Sequence, residues 1–385
     1  MVLSLAVRRA LAAAVLAGVL AVPATAGAIT YAPVNHPGPK LSVPQAKLDA
    51  ALQCTGNLAA GPTPVLLVPG TGSSPPRNFG WNWEPALNKL GIPWCAVTLP
   101  DNALGDIQDA GEYIVNAIRV EYARAGKRIS IIGHSQGGMA PRWALRFWPG
   151  TRAMVDDQIG LAPSNHGTTT AQSTCANGCA PAIWQQANDA KFIAALNSYQ
   201  ETFPGISYTQ VYTRTDEEVR PNDDDTGSSS LHGGGGLITN VAIQDVCPGD
   251  STEHNGLGTV DNTAYALAVD ALTHPGPADP SRIDAGSVCS TPLMPGINPA
   301  TFPADAAATL QDDLTNIFTH PPSKAEPPLK CYVTDTCGKC AKYKRKHKKH
   351  KKHHAAAAKK HKKKHTKCKR KHKKHKKHKK KAARR

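Results

Sequence analysis

Gly133-His134-Ser135-Gln136-Gly137 follows the apolar run Ile129-Ser130-Ile131-Ile132 and precedes a helix expected over 139–147. The pattern is G-x-S-x-G, a turn in which a strand feeds a serine into a sharp bend and a helix leaves directly afterwards. The glycines are needed because the bend forces strained backbone at the serine and leaves no room for neighbouring side chains. The geometry lifts the serine hydroxyl above the sheet and points a helix N-terminus at negative charge developing on a substrate oxygen. In a chain with 32 Gly the pattern alone is weak; its strand–turn–helix setting makes it informative.

Outward from this turn, strands and helices alternate. Val65-Leu66-Leu67-Val68 is apolar throughout, the habit of a strand buried on both faces of a parallel sheet, and it ends in Pro69-Gly70-Thr71-Gly72. Further strands are expected at 94–99, 128–132, 153–161, 207–212 and 237–243. Helices are expected at 45–53, 83–90, 106–125, 139–147 and 259–272. In 106–125, Ile107, Ala110, Ile114, Ala117, Ile118 and Tyr122 recur at close to helical spacing. The alternation predicts an α/β fold with a mainly parallel central sheet flanked by helices. From Pro275 onward periodicity fades into Pro, Ala and Gly.

A serine nucleophile needs a base, and the base needs an orienting carboxylate. With this turn the chain order is serine, acid, histidine. Asp216 follows the 207–212 strand and His254 follows the 237–243 strand, where those loops belong. Glu217, Glu218 and Asp223–Asp225 remain rivals for the acid; His166, His232 and His274 remain rivals for the base. The oxyanion donors of such a site are the amide after the nucleophile, here Gln136, and one from the loop after the first core strand, here Thr71. The chemistry calls for no cofactor and no metal. A zinc site from Cys331, Cys337, Cys340 and Cys368 is the weaker reading, because export favours disulfides.

Val65-Leu-Leu-Val-Pro-Gly-Thr-Gly72, Tyr113-Ile-Val-Asn-Ala-Ile118, Ser135-Gln-Gly-Gly138, Ile183-Trp-Gln-Gln186 and Thr215-Asp-Glu-Glu-Val-Arg-Pro221 resemble, in order, the Candida antarctica lipase B-like family of α/β-hydrolase lipases. The similarity spans about 52–289. It implies an α/β-hydrolase fold and hydrolysis of carboxylic esters by Ser135, Asp216 and His254. It implies oxyanion donation by Thr71 and Gln136, with the Thr71 hydroxyl adding a third bond. It also implies disulfides Cys54–Cys95 and Cys247–Cys289, and places Trp184, Gln185 and Gln186 on the acyl side of the pocket. One departure matters. His134 stands where that family has a Trp shaping its alcohol-side pocket, which implies a roomier, more polar pocket here. The segment 164–182 stands where the family has a small lid helix, and the spacing of Cys175 and Cys179 suits a local clasp.

Charge divides the chain. The formal net charge is +17, but 341–385 holds 26 Lys/Arg, 9 His and no acidic residue, leaving 20 Lys/Arg against 29 Asp/Glu in 1–340. The body is acidic, which excludes a compact basic nucleic-acid-binding domain; no specific nucleic-acid partner is expected. Arg8 and Arg9, the apolar run 10–22 and small residues at Ala24 and Ala26 read as a signal peptide, 1–26, too short in its apolar part for a membrane span. The organisation expected is a catalytic domain at 27–325, a Cys-containing linker at 326–340 and a disordered Lys/His-rich tail at 341–385. The mature protein is expected to be secreted, without a transmembrane span. The tail is expected to hold it on anionic cell-envelope polymers or anionic lipid surfaces. The function expected is a secreted lipase or esterase with an ester or lipid substrate. A polyester depolymerase, an acyltransferase or a polyanion-binding envelope protein with secondary hydrolase activity are the alternatives.

Overall fold

The computed structural model describes residues 29–334 and 336. The expected signal peptide and the 341–385 tail lie outside the described residues. The chain divides into two units, 1–30 and 31–385, and the architecture below belongs to the second.

Seven strands form one sheet: β1 (Leu52–Cys54), β2 (Val65–Val68), β3 (Trp94–Val97), β4 (Ile129–His134), β5 (Val155–Leu161), β6 (Ser207–Tyr212) and β7 (Leu237–Ala242). Their order is β1-β3-β2-β4-β5-β6-β7. Only β1 runs antiparallel to its neighbour; the other five pairings are parallel. All-buried strands such as β2 arise because both faces are covered. Leu66 and Val68 join Ile129 and Ile131 under the helices Ile107–Ala125 and Gln136–Phe147. Val65 and Leu67 join Ile132 and Ile159 under Trp83–Lys89 and Asn262–Thr273. The alternation of β2 between two cores is the period-two geometry of a strand.

Several expectations need correction. The helix expected at 45–53 stops at Ala50, and Leu52–Cys54 instead pairs with β3 as an edge strand. The helix after Ser135 begins at Gln136 rather than Met139, with no intervening residue. The region after Pro275 holds an 18-residue helix, Phe302–Thr319. The expected linker at 326–340 packs onto the body through at least Thr334. Val333 is fully buried, Tyr332 Oη accepts from Trp143 Nε1 at 3.0 Å, and the Glu326 carboxylate accepts from the backbone of Lys191 and Phe192. Disulfides join Cys54 to Cys95, Cys175 to Cys179 and Cys247 to Cys289, and Cys331 is also disulfide-bonded. Among the described residues no helix is long and apolar enough to cross a membrane.

Candidate active site

Ser135, Asp216 and His254 follow β4, β6 and β7, so all three stand at the carboxyl edge of the parallel sheet, where ligand sites of such sheets lie. Ser135 carries φ 56° and ψ −125°, strained for any residue with a Cβ. The two glycines around it are steric necessities. A Cβ on Gly133 would sit 1.9 Å from Gly137 O, and one on Gly137 would sit 2.0 Å from Val68 O. Backbone therefore passes backbone at the bend, and the helix starts immediately beneath the hydroxyl.

His254 Nε2 lies 2.9 Å from Ser135 Oγ, and His254 Nδ1 lies 3.0 Å from Asp216 Oδ2. The other carboxylate oxygen, Asp216 Oδ1, accepts from the amides of Glu218 and Val219 at 2.9 and 2.7 Å, which holds Oδ2 toward the ring. All three side chains are nearly enclosed. Burial lowers the basicity of His254, but the Asp216 charge and hydrogen bond, aided by Glu218 and Glu217, outweigh it, so its pKa is raised above 6.5. An imidazole so placed can take a proton from the serine and be stabilised as it becomes charged.

The rivals fall elsewhere. His166 pairs with Glu201 at 2.8 Å, the His232 amide donates to that same carboxylate, and His274 pairs with Asp270 near the far end of its helix. Glu217 accepts from the His254 amide at 3.2 Å and so supports the loop rather than the ring. Asp224 turns back onto Thr226.

His134, the residue before Ser135, is locked. Its Nε2 faces the His254 carbonyl at 3.3 Å and its Nδ1 faces Asn78 Nδ2 at 3.1 Å, while Asn78 Oδ1 accepts from the Gly70 amide at 2.8 Å. Donation by Nε2 and acceptance by Nδ1 match the shorter Asn78 contact, while Asn78 Oδ1 also lies 3.3 Å from Nδ1. Burial first, then the neighbouring His254, push its pKa down to about 3. This chain of bonds ties the Gly70–Thr71 loop to the His254 loop across the elbow. Asn78 carried no signal in the sequence, because its two partners lie 8 and 56 residues away.

On the candidate oxyanion side, Thr71 Oγ1 donates to Gln136 Oε1 at 3.0 Å and accepts from Gln186 Nε2 at 2.9 Å. Its proton is directed at Gln136, not at the space above Ser135. The expected third oxyanion bond therefore requires that hydroxyl to turn.

A cavity of about 490 Å³ opens over Ser135 and His254. One wall comes from the Thr169–Thr174 helix and its neighbours Ile183 and Gln186; the facing wall comes from Leu310, Asp313, Leu314, Ile317 and Phe318 of the Phe302–Thr319 helix. Trp184 does not line this cavity: its Nε1 donates to Ser323 O at 3.1 Å, and Ile183 takes its place at the wall. Gln185 likewise turns away, accepting from the Ile107 amide at 2.7 Å. Neighbouring Cys179 exchanges two backbone bonds with Ser323, so the Cys175–Cys179 clasp is stitched to the chain beyond the Phe302–Thr319 helix. Among the described residues no group of three or more His, Cys, Asp or Glu is arranged to hold a metal.

No family model matches the chain. It is 33% identical to lipase B of Pseudozyma antarctica over 322 residues, covering 82% of this chain and 92% of that protein. The crystal structure of Aspergillus fumigatus lipase B matches with a TM-score of 0.71 at 30% identity, covering 78% of this chain and 74% of that one.

Proposed function

This chain belongs to the lipase B family of α/β-hydrolases and is a serine ester hydrolase acting on ester or lipid substrates, and we propose that Ser135, His254 and Asp216 carry the reaction in an exported enzyme. The observation that supports this most strongly is the unbroken relay Ser135 Oγ–His254 Nε2 and His254 Nδ1–Asp216 Oδ2 at the base of an otherwise largely apolar cavity.

In this reading Ser135 Oγ attacks the ester carbonyl carbon as its proton passes to His254 Nε2. The resulting imidazolium keeps its Nδ1–H on Asp216. The carbonyl oxygen, now negative, receives the amides of Gln136 and Thr71, each worth roughly 3 kcal/mol to the transition state. The tetrahedral intermediate collapses, the ester C–O bond breaks, and His254 returns the proton to the departing alkoxide. Water then enters, gives its proton to the same nitrogen and cleaves the acyl-enzyme by the reverse sequence. An alcohol in place of that water would give acyl transfer by the same residues.

The 1–26 segment supports export, and the 26 Lys/Arg of 341–385 support retention on anionic envelope polymers or lipid surfaces. Hydrolysis of p-nitrophenyl butyrate, abolished by Ser135→Ala, tests the first part. Full-rate turnover by that variant would overturn the nucleophile. Deletion of 341–385 is expected to spare soluble-ester turnover and to remove salt-sensitive retention on anionic vesicles.

A further inference from the structure

Two carboxyl groups share one hydroxyl behind the loop that carries His254. Thr252 Oγ1 lies 2.7 Å from Asp250 Oδ1 and 3.0 Å from Asp261 Oδ2, and the two carboxyls hydrogen-bond each other as well. A hydroxyl has one proton to donate and an ionised carboxylate has none. With both carboxyls ionised, at least one contact to Thr252 would be oxygen against oxygen, and the bond between the carboxyls could not form. One of the two therefore carries a proton. Asp261 is 4% exposed whereas Asp250 is half-buried, and burial favours the neutral form of a carboxyl. Asp261 Oδ1 accepts from the Ala264 amide at 2.6 Å and so caps the Asn262–Thr273 helix, which makes Oδ2 the oxygen that holds the proton.

Thr252 is a joint between this helix and both catalytic loops. Its carbonyl accepts from Thr213 Oγ1 and Thr215 Oγ1, each at 2.8 Å, in the loop that leads to Asp216. Gln244 Nε2 donates to Thr213 Oγ1 at 2.8 Å and to Asp250 O at 3.2 Å, closing the same set of bonds. His254 follows two residues later, and the Asp261 amide donates to Gly256 O at 3.1 Å just beyond it. The Thr252 carbonyl thus ties the His254 loop to the Asp216 loop, and the Thr252 hydroxyl ties it to the helix behind.

We infer that Asp261 is a positioning residue for His254: its protonated carboxyl donates to Thr252 Oγ1, Thr252 donates to Asp250, and together they hold the 250–254 loop so that the imidazole meets both Ser135 and Asp216. The inference rests on the reading of His254 as the base and adds a proton that never reaches the substrate. Asp250 is the titratable group that faces Asp261; the other packed elements bring the Ala264 amide, the Thr252 hydroxyl and the backbone of Leu293. Burial first, then Asp250, push the Asp261 carboxyl up to about 7, against the pull of the Ala264 amide and the Thr252 hydroxyl. The proton is present below that value and is lost as pH rises through it, which releases the loop on this side. The same loop carries Glu253, which burial and, behind it, Glu217 also raise, so the experiment has to separate the two groups.

The test is kcat on p-nitrophenyl butyrate from about pH 5 to about pH 9, per active site titrated with a fluorophosphonate, for the full chain and for Asp261→Asn. Asparagine keeps both bonds at every pH, its oxygen accepting from Ala264 and its amide donating to Thr252. Dividing the wild-type kcat by that of Asp261→Asn removes the His254 limb that they share. The ratio should stay near one at the acid end and fall by about threefold to tenfold as pH rises through the Asp261 value, the loss of one buried hydrogen bond, with KM little changed. Asp261→Leu, which has no donor, should stand at the lower level throughout. A ratio that is flat across pH would overturn the inference and assign any shared alkaline fall to Glu253. So would wild-type kcat in Asp261→Leu at the acid end; if that variant does not fold, the ratio of the other two still decides. Undiminished turnover by His254→Ala would instead strike the reading of the base.

Discussion

Gly258→Ala puts the coupling between His134 and His254 at risk through a single methyl group. Gly258 lies in the His254–Thr259 helix, where alanine by intrinsic propensity should stabilise by about 1 kcal/mol. Sterics oppose this. The new Cβ would lie 2.0 Å from His134 Cδ2 and 2.4 Å from its Nε2, whereas carbon atoms rest at about 3.5–4.0 Å. The ring would have to retreat by more than an ångström. It is 4% exposed and is held on its other side by Asn78, so little free space is open to it. Overpacking of this kind costs about 1–3 kcal/mol, which outweighs the propensity gain. The contact between His134 Nε2 and the His254 carbonyl is broken first, and a displacement of about 1 Å at a catalytic group costs on the order of a hundredfold in rate. The assay is kcat/KM on p-nitrophenyl butyrate together with the urea midpoint. A double variant, Gly258→Ala with His134→Ala, returns the space and should recover at least part of the activity lost by Gly258→Ala alone. Retention of both activity and stability by Gly258→Ala, or a double variant no better than the single, would refute this account of the close approach.

Because the His254 pKa is raised by Asp216, activity should fall as pH drops through a limb above 6.5, where the imidazole gains its proton; Asp216→Asn should move that limb down and cost roughly 10⁴-fold in kcat, as seen in a pH–rate profile. Burial pushes the Asp157 carboxyl up to about 7, partly offset by the Ser130 hydroxyl at 2.8 Å. An acid with a raised folded-state pKa favours folding at low pH and loses that contribution as pH rises through the folded value. Between pH 5 and 8 the wild type should therefore lose about 2–3 kcal/mol relative to Asp157→Asn in urea unfolding; equal losses would contradict the assignment. Replacing Cys54 and Cys95 by alanine opens a crosslink spanning 41 residues and should lower stability by about 4 kcal/mol, measured the same way.

Inner strands such as Val65–Val68 were legible because burial on both faces leaves an unbroken apolar run, whereas the half-exposed edge strand Leu52–Cys54 carries no such run. The turn at Ser135 was legible because only glycine fits beside it, and the loops that bring Asp216 and His254 to it followed from chain order. The Phe302–Thr319 helix was missed although Leu310, Leu314, Ile317 and Phe318 recur at helical spacing. Its flanks are rich in Pro, Ala and Gly, and its apolar side borders a cavity instead of the core, with Phe318 81% exposed. Trp184 was misplaced by one residue of a short helix, which is enough to turn a side chain away from a wall. Asn78 and Gly258 act through neighbours distant in the chain, and no local pattern marks such residues. Packing of 326–334 onto the body was hidden by a proline-rich composition that ordinarily signals a connector.

The central claim is that Ser135 is the nucleophile. Incubation with a fluorophosphonate, followed by intact-mass and peptide analysis, tests it most directly. One adduct per chain is expected, located on the peptide containing Ser135, rising in step with loss of ester hydrolysis and absent from Ser135→Ala. Stoichiometric labelling of Ser135→Ala, or inhibition that tracks an adduct on another residue, would contradict the account.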